Sequence, residues 1–193
     1  MGATGMCVAC GERVEAYTVD LGGVTEVRCL RCGLPLEARR ARPAAGFQRA
    51  LVADDARFFR EAVAEYLSSR RVAREVVTAR DGAEALERAI EALRARRPAD
   101  LVILDLLMPR LNGLHAAVAI RAAERAFGAR PAPVVFFSSR RIDASLKPVL
   151  EELKPAYYVN KGPGTAELLG DRLAEVLRVV HQGFSLDLPG GRG

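Results

Sequence analysis

No stretch of the chain approaches the run of roughly 18 or more uncharged apolar residues that a membrane span requires. The opening Met1-Gly2-Ala3-Thr4-Gly5 has no basic segment followed by an apolar one, so a soluble cytoplasmic protein with no membrane partner is expected. Cysteine is absent after position 32, and lysine is scarce: three of the 29 basic residues, Lys147, Lys154 and Lys161. Nowhere does Gly-x-x-x-x-Gly-Lys-Ser/Thr occur, which excludes nucleotide hydrolysis by a P-loop. Apolar side chains are abundant, 50% of the 193 residues against 27% charged, and that excludes a wholly disordered chain. The length exceeds one typical domain of roughly 150 residues by more than a tail, which predicts an ordinary domain accompanied by a small one.

A net charge of +5 and a pI of about 9.3 raise the question of a nucleic-acid partner. The location of the charge answers it. Residues 1–40 balance five arginines (Arg13, Arg28, Arg31, Arg39, Arg40) against five acids (Glu12, Glu15, Asp20, Glu26, Glu37), and the excess is spread thinly over the remainder. The bias to arginine fits a GC-rich genome better than a binding surface, and nucleic acid is not expected as a partner.

All four cysteines form two pairs, Cys7-Val8-Ala9-Cys10-Gly11 and Cys29-Leu30-Arg31-Cys32-Gly33, with 18 residues between them. Each Cys-x-x-Cys turn presents two thiolates to one side, and the following glycine permits the left-handed backbone that brings amides to the sulfurs. Two disulfides, free thiols and an iron site are the alternatives; the lack of a secretion signal weighs against the first. Val14, Ala16, Thr18 and Val24, Val27 flank Leu21-Gly22-Gly23, a pattern of two strands joined by a glycine turn. The segment resembles a zinc ribbon, with Cys7, Cys10, Cys29 and Cys32 as ligands of a structural Zn²⁺. Four thiolates saturate the ion and leave no water to activate, and forty residues bury so little core that the metal is expected to fold them.

Residues 37–46 have little apolar content and end in Pro, Ala and Gly, which predicts a linker over 41–47 between a module at 1–40 and a domain at 48–181, with a flexible tail at 182–193. Short apolar runs then recur: 51–53, 76–79, 101–104, 134–137 and 157–159. Between them Phe59, Ala62, Val63, Tyr66, Leu67 and Leu169, Leu173, Val176, Leu177, Val180 follow helical spacing, as do Leu86, Ala89, Ile90, Leu93 and Leu146, Val149, Leu150, Leu153 in part. The segment from Leu111 to Phe127 is weaker, because Arg121 interrupts its apolar face. Fully apolar strands alternating with amphipathic helices predict an α/β fold, a doubly wound parallel sheet covered on both faces, which binds ligands beyond the carboxyl ends of its strands.

Those ends carry Asp54-Asp55, Asp105, Ser138-Ser139 and Lys161. Three converging carboxylates repel one another unless a cation sits among them, and oxygen ligands without nearby Cys or His suit Mg²⁺. One carboxylate can then attack phosphorus, while a lysine and a hydroxyl hold the phosphoryl oxygens. Taken singly, Asp-Asp and Ser-Ser are also ordinary helix caps, and Lys161 beside glycines could be a solvated loop residue. The ordered set Val52-Ala53-Asp54-Asp55, Asp81-Gly82-Ala83-Glu84-Ala85-Leu86, Asp105-Leu106-Leu107-Met108-Pro109-Arg110-Leu111-Asn112-Gly113, Ser138-Ser139 and Val159-Asn160-Lys161 resembles the successive signatures of a bacterial response-regulator receiver domain. A haloacid-dehalogenase type would need a carboxylate where Leu107 stands.

The resemblance implies a flavodoxin-like (βα)5 fold with strand order 2-1-3-4-5. It implies Asp105 as phosphoacceptor; Asp55, Asp105 and the backbone carbonyl of Leu107 as direct Mg²⁺ ligands, with Asp54 acting through water; and Ser138 and Lys161 as partners of the phosphoryl group. Tyr158 matches the aromatic switch. The sequence departs from the family after Lys161, where Gly162-Pro163 replaces the usual proline, and in the segment 140–148. A phosphorelay partner follows, a sensor histidine kinase, together with an output protein; a phosphorylation-dependent homodimer is also admitted. The expected product is a conformational change, so the chain is read as a two-component signalling switch and not an enzyme, catalysing only its own phosphotransfer and slow dephosphorylation. The rivals are a transcription regulator reading DNA through the ribbon and an unphosphorylated pseudo-receiver scaffold. Leu107 and Arg140 flank the site where a hydrolytic water would stand, and neither can accept its proton, which predicts a long-lived phosphorylated state.

Overall fold

The computed structural model describes residues 4–21, 24–32, 34, 36, 46–139, 146–161 and 166–186. Three antiparallel strands come first: β1 (Thr4–Cys7), β2 (Glu12–Leu21) and β3 (Val24–Cys29), with β2 central. Leu21 lies opposite Val24, the register of a two-residue hairpin, and Gly22 and Gly23 themselves lie outside the described residues, as does Gly33. Then follow β4 (Phe47–Ala53), α1 (Arg57–Ser69), β5 (Ala73–Ala79), α2 (Gly82–Arg94), β6 (Leu101–Leu104), α3 (Gly113–Ala126), β7 (Val134–Ser138), α4 (Leu146–Glu152), β8 (Ala156–Asn160) and α5 (Ala166–Leu186). The second sheet is wholly parallel in the order β5-β4-β6-β7-β8, which is the 2-1-3-4-5 order expected.

Strand alternation divides the core into two layers. Ala50, Val52, Leu101, Ile103, Val135, Phe137 and Val159 face α1 and α5, whose Val63, Leu67, Leu173 and Val176 close over them. Their neighbours Leu51, Ala53, Val102, Leu104, Val134, Phe136 and Tyr158 face α2, α3 and α4. The first layer does not stop at the sheet: Cys7, Ala9, Val14, Cys29 and Leu34 of the N-terminal module belong to it. No helix among the described residues is long and apolar enough to cross a membrane.

Two boundaries differ from the sequence expectation. Phe47 is buried as the first residue of β4 and is part of the sheet, not the end of a linker; residues 41–45 lie outside the described residues. Helix α5 runs on through Leu186, so residues 182–186 are helical where a flexible tail was expected, and 187–193 lie outside the described residues. Gly183 does not end the helix, since an interior glycine costs only about 1 kcal/mol.

Arg121, which breaks the apolar face of α3, is buried with Glu124 one turn on. Its Nη1 donates to Glu124 Oε2 at 2.6 Å, and its Nε and Nη2 donate to the Leu153 and Pro155 carbonyls at 3.1 Å; Glu124 Oε1 accepts from the Ala132 amide at 2.9 Å. The pair thus ties α3 to the loops before β7 and β8. Arg121→Ala strands Glu124 as a lone buried charge, and chemical denaturation is expected to show a loss of about 3–5 kcal/mol. Arg121→Met combined with Glu124→Gln should recover part of it.

Candidate functional site

The parallel ladders extend one residue past the strands and so set the site. Asp54 N donates to the Ala79 carbonyl at 3.2 Å, Asp105 N to Ala53 at 2.9 Å and Lys161 N to Ser138 at 2.9 Å. These bonds bring three strand ends to one place. Asp54 and Asp105 are buried, Asp55 is exposed, and their carboxylate oxygens come within 4.8 Å of one another. Lys161 is buried with its Nζ 2.6 Å from Asp54 Oδ2 and 3.4 Å from Asp105 Oδ2, and it lies 4.5 Å from the centre of the Phe59 ring. It is therefore no solvated loop residue. Burial pushes the Asp54 carboxyl up, against the opposing pull of Lys161.

One atom is left over. Asp105 Oδ1 is buried and has no hydrogen-bond partner among the described residues. A buried carboxylate oxygen without a donor is costly, and a hard cation beside Asp54 and Asp55 would satisfy it; the donor set, all oxygen, fits Mg²⁺. Ser138 is fully buried at the end of β7, and the exposed side chain of Leu107 (56%) stands at the rim. Arg140 and Gly162-Pro163 lie outside the described residues.

Glycine at two helix starts lets the loops close under the site. Asn112 caps α3, accepting from His115 N at 2.9 Å, and a Cβ on Gly113 would collide with the Asp105 carbonyl oxygen. Asp81 caps α2, accepting from Ala83 N and Glu84 N at 2.9 Å, and a Cβ on Gly82 would collide with the Leu111 carbonyl oxygen. The Asp81-Gly82 and Asn112-Gly113 motifs thus share one job: they bring the β6–α3 loop against both the end of β6 and α2. By contrast, Asp54 does not cap α1; the helix begins at Arg57, and its N-cap residue, Ala56, supplies no side-chain cap.

Tyr158 is buried (1% exposed). Its hydroxyl lies 3.5 Å from the Ser138 carbonyl, to which it donates, and accepts from Asn160 Nδ2 at 3.2 Å. Burial pushes its phenol up to about 12, against the opposing pull of the hydrogen bond from Asn160. Two contacts had no signal in the sequence. Arg60, one turn into α1, donates through Nη1 to the Asp54 carbonyl at 2.6 Å, and Arg172 of α5 donates to the Lys161 carbonyl at 2.7 Å.

In the N-terminal module Sγ of Cys7 lies 3.5 Å from that of Cys32, and Sγ of Cys10 lies 3.8 Å from that of Cys29. These separations rule out disulfides, whose sulfurs are bonded at about 2.05 Å. They match the edge of about 3.8 Å of a tetrahedron with Zn–S bonds near 2.3 Å. Backbone amides of Cys10, Arg31 and Cys32 point at the sulfurs of Cys7 and Cys29, and Gly11 takes the left-handed conformation (φ 72°). Hydrogen bonds from Cys10 hold Cys7 and Cys29 down, whereas hydrogen bonding to Cys29 raises Cys10 and hydrogen bonding to Cys10 raises Cys32. A cation held among them would take all four as thiolates.

Fold and site together define a doubly wound α/β protein with a buried carboxylate cluster and a lysine at the carboxyl ends of its strands. The chain belongs to the response regulator receiver domain family, whose pattern matches residues 50–170. It is similar to the receiver domain of the histidine kinase CKI1 from Arabidopsis thaliana in complex with Mg²⁺ and BeF₃⁻, with 25% identity and a TM-score of 0.57, over 70% of this chain and 90% of that one. It is also similar to the response regulator domain of Thermotoga maritima CheB, with 26% identity and a TM-score of 0.54, over 70% and 96%.

Among whole proteins, a protein-glutamate methylesterase/protein-glutamine glutaminase of Caldanaerobacter subterraneus subsp. tengcongensis is 33% identical over 137 residues. That stretch is 68% of this chain and 34% of the relative, so the chain spans about a third of such a protein. These enzyme names correct the expectation of a switch that is no enzyme. The shared part is the receiver, and receiver motifs do not decide what chemistry accompanies them, since phosphoacceptor geometry is the same whichever output it serves.

Proposed function

We propose that the chain is a phosphorylation-dependent response regulator in which Asp105 accepts a phosphoryl group from the phosphohistidine of a sensor histidine kinase. Oδ1 of Asp105, without a partner among the described residues and buried beside two carboxylates and a lysine, carries this reading. A carboxylate oxygen of Asp105 forms the new O–P bond as the P–N bond to the donor imidazole breaks, and the imidazole leaves with the bonding pair and takes a proton from water. Asp55, Asp105 and the Leu107 carbonyl would hold Mg²⁺, with Asp54 acting through water; bound there, the ion offsets charge on the transferred group. Lys161 and the Ser138 hydroxyl hold the phosphoryl oxygens, and Phe59 beneath Lys161 keeps its ammonium aimed inward.

Tyr158 is the aromatic switch in this reading, and its ring is buried. The output is a change in the face around β8 that is read by a partner protein or a second copy of the chain. Cys7, Cys10, Cys29 and Cys32 hold a structural Zn²⁺. The balanced charge of residues 1–40 favours a protein contact for this module over DNA.

Treatment with acetyl phosphate should add one phosphoryl group by intact mass only when Mg²⁺ is present; labelling without Mg²⁺, or none with it, sinks the assignment. The label should also last, because neither Leu107 nor Arg140 can take a proton from an attacking water. Leu107→Asn combined with Arg140→Glu is expected to speed its loss several-fold, and an unchanged decay would remove these side chains from control of the lifetime.

A further inference from the structure

The turn between β1 and β2 is seated on the receiver. Strand β8 is at the edge of its sheet, where outward amides lack a neighbouring strand. The Asn160 amide nevertheless has a partner: it donates to the Ala9 carbonyl at 2.5 Å. Ala9, in the turn from Cys7 to Cys10, is buried, and Cys7, Ala9 and Cys29 share a core with Val159 and Leu173. Gly11, at the end of the turn, approaches the guanidinium of Arg172, which holds the Lys161 carbonyl. Asn160 therefore touches the cysteine turn through its amide and the Tyr158 hydroxyl through its side chain, and Lys161 is the next residue.

We propose that the cysteine module is a built-in effector of the receiver: metal loading of the module and phosphorylation of Asp105 oppose each other through Asn160 and Lys161. The inference rests on the four cysteines holding zinc. Ala9 is held in place by the cysteines on either side, and its carbonyl stays against Asn160 only while that turn is closed. A phosphoryl group on Asp105, whose Oδ2 is 3.4 Å from an ammonium now held closer by Asp54, adds negative charge there and draws Lys161 toward β6. The backbone at 160–161 follows. It moves away from Ala9 and Arg172 and loosens the seat of the module. By linkage the effect is reciprocal: a loaded, docked module holds Lys161 back and disfavours the phosphorylated state.

The test uses the full chain loaded with zinc and beryllofluoride as the phosphoryl analogue. Zinc affinity is measured by competition with a chromophoric chelator in Mg²⁺ alone and in Mg²⁺ with beryllofluoride. The affinity should fall by at least about five-fold with the analogue, the lower end of ordinary coupling, and not at all in Asp105→Asn. Zinc-free chain should bind beryllofluoride tighter by the same factor. Arg172→Ala, which removes one contact without touching a cysteine, should shrink the coupling in both directions. Equal zinc affinity in the two states, or a tighter one with the analogue, overturns the coupling while leaving the metal assignment standing. A chain that takes up no zinc overturns both.

Discussion

Asp105→Asn is expected to take up no phosphoryl group from acetyl phosphate at any Mg²⁺ concentration, with labelling at the background of a mock reaction. The amide oxygen of asparagine is too weak a nucleophile to form a stable O–P bond, and the substitution removes one of three charges that a cation would balance. The fold should survive, since Asn keeps the shape of Asp and Lys161 keeps its closer partner, Asp54 at 2.6 Å. Without Mg²⁺ the variant should melt no lower than wild type, because three carboxylates within 4.8 Å of one another repel. Residual label mapped to Asp54 or Asp55 would reassign the nucleophile, and a collapsed melting transition would mean that Asp105 serves the fold first.

Cys29→Ser should unfold the N-terminal sheet while the parallel sheet stays folded. Cys29 is fully buried, and its sulfur accepts from the amides of Arg31 and Cys32. Zinc binding to four-ligand modules of this size is worth about 10–16 kcal/mol, and with so little core of their own that energy is their folding energy. Hydrogen exchange is the readout: amides of β2 and β3 should exchange within seconds, while those of β4, β6 and β7 remain protected. Mg²⁺-dependent labelling of Asp105 should persist, since every proposed ligand of that site comes from the parallel domain. Unchanged protection of β2 and β3, in this variant or in chelator-stripped wild type, would show that strand pairing and contact with Val159 and Leu173 fold the module without metal.

Much of the molecule was legible in advance, for local reasons. The alternation of three- to four-residue apolar runs with helical spacings specifies β and α segments because a buried strand and an amphipathic helix are the ways each pattern can hide its apolar atoms. From that alternation the parallel sheet, and the place of a site at its strand ends, follow. Cysteine spacing is equally local: each pair needs only its own turn. The candidate site residues were legible for a related reason, since Asp54, Asp105, Ser138 and Lys161 each stand just at or after a strand that the pattern marks.

Tertiary structure alone decided which distant groups meet. Arg121 looked like a flaw in α3 until the Leu153 and Pro155 carbonyls and Glu124 were seen around it. The ends of α5 and of the interdomain segment were misplaced because one glycine does not stop a packed helix and one phenylalanine suffices to start a strand. Arg60 on the Asp54 carbonyl, Gly113 against that of Asp105, and above all Ala9 against Asn160 have no sequence signal. A local period reports which face of an element is buried, whereas the partner that buries it depends on the path of the whole chain. That is why the sequence by itself determined the paired cysteines and the ordered strand-end carboxylates as two separate patterns, and only the folded structure placed the first against the end of β8, next to Lys161.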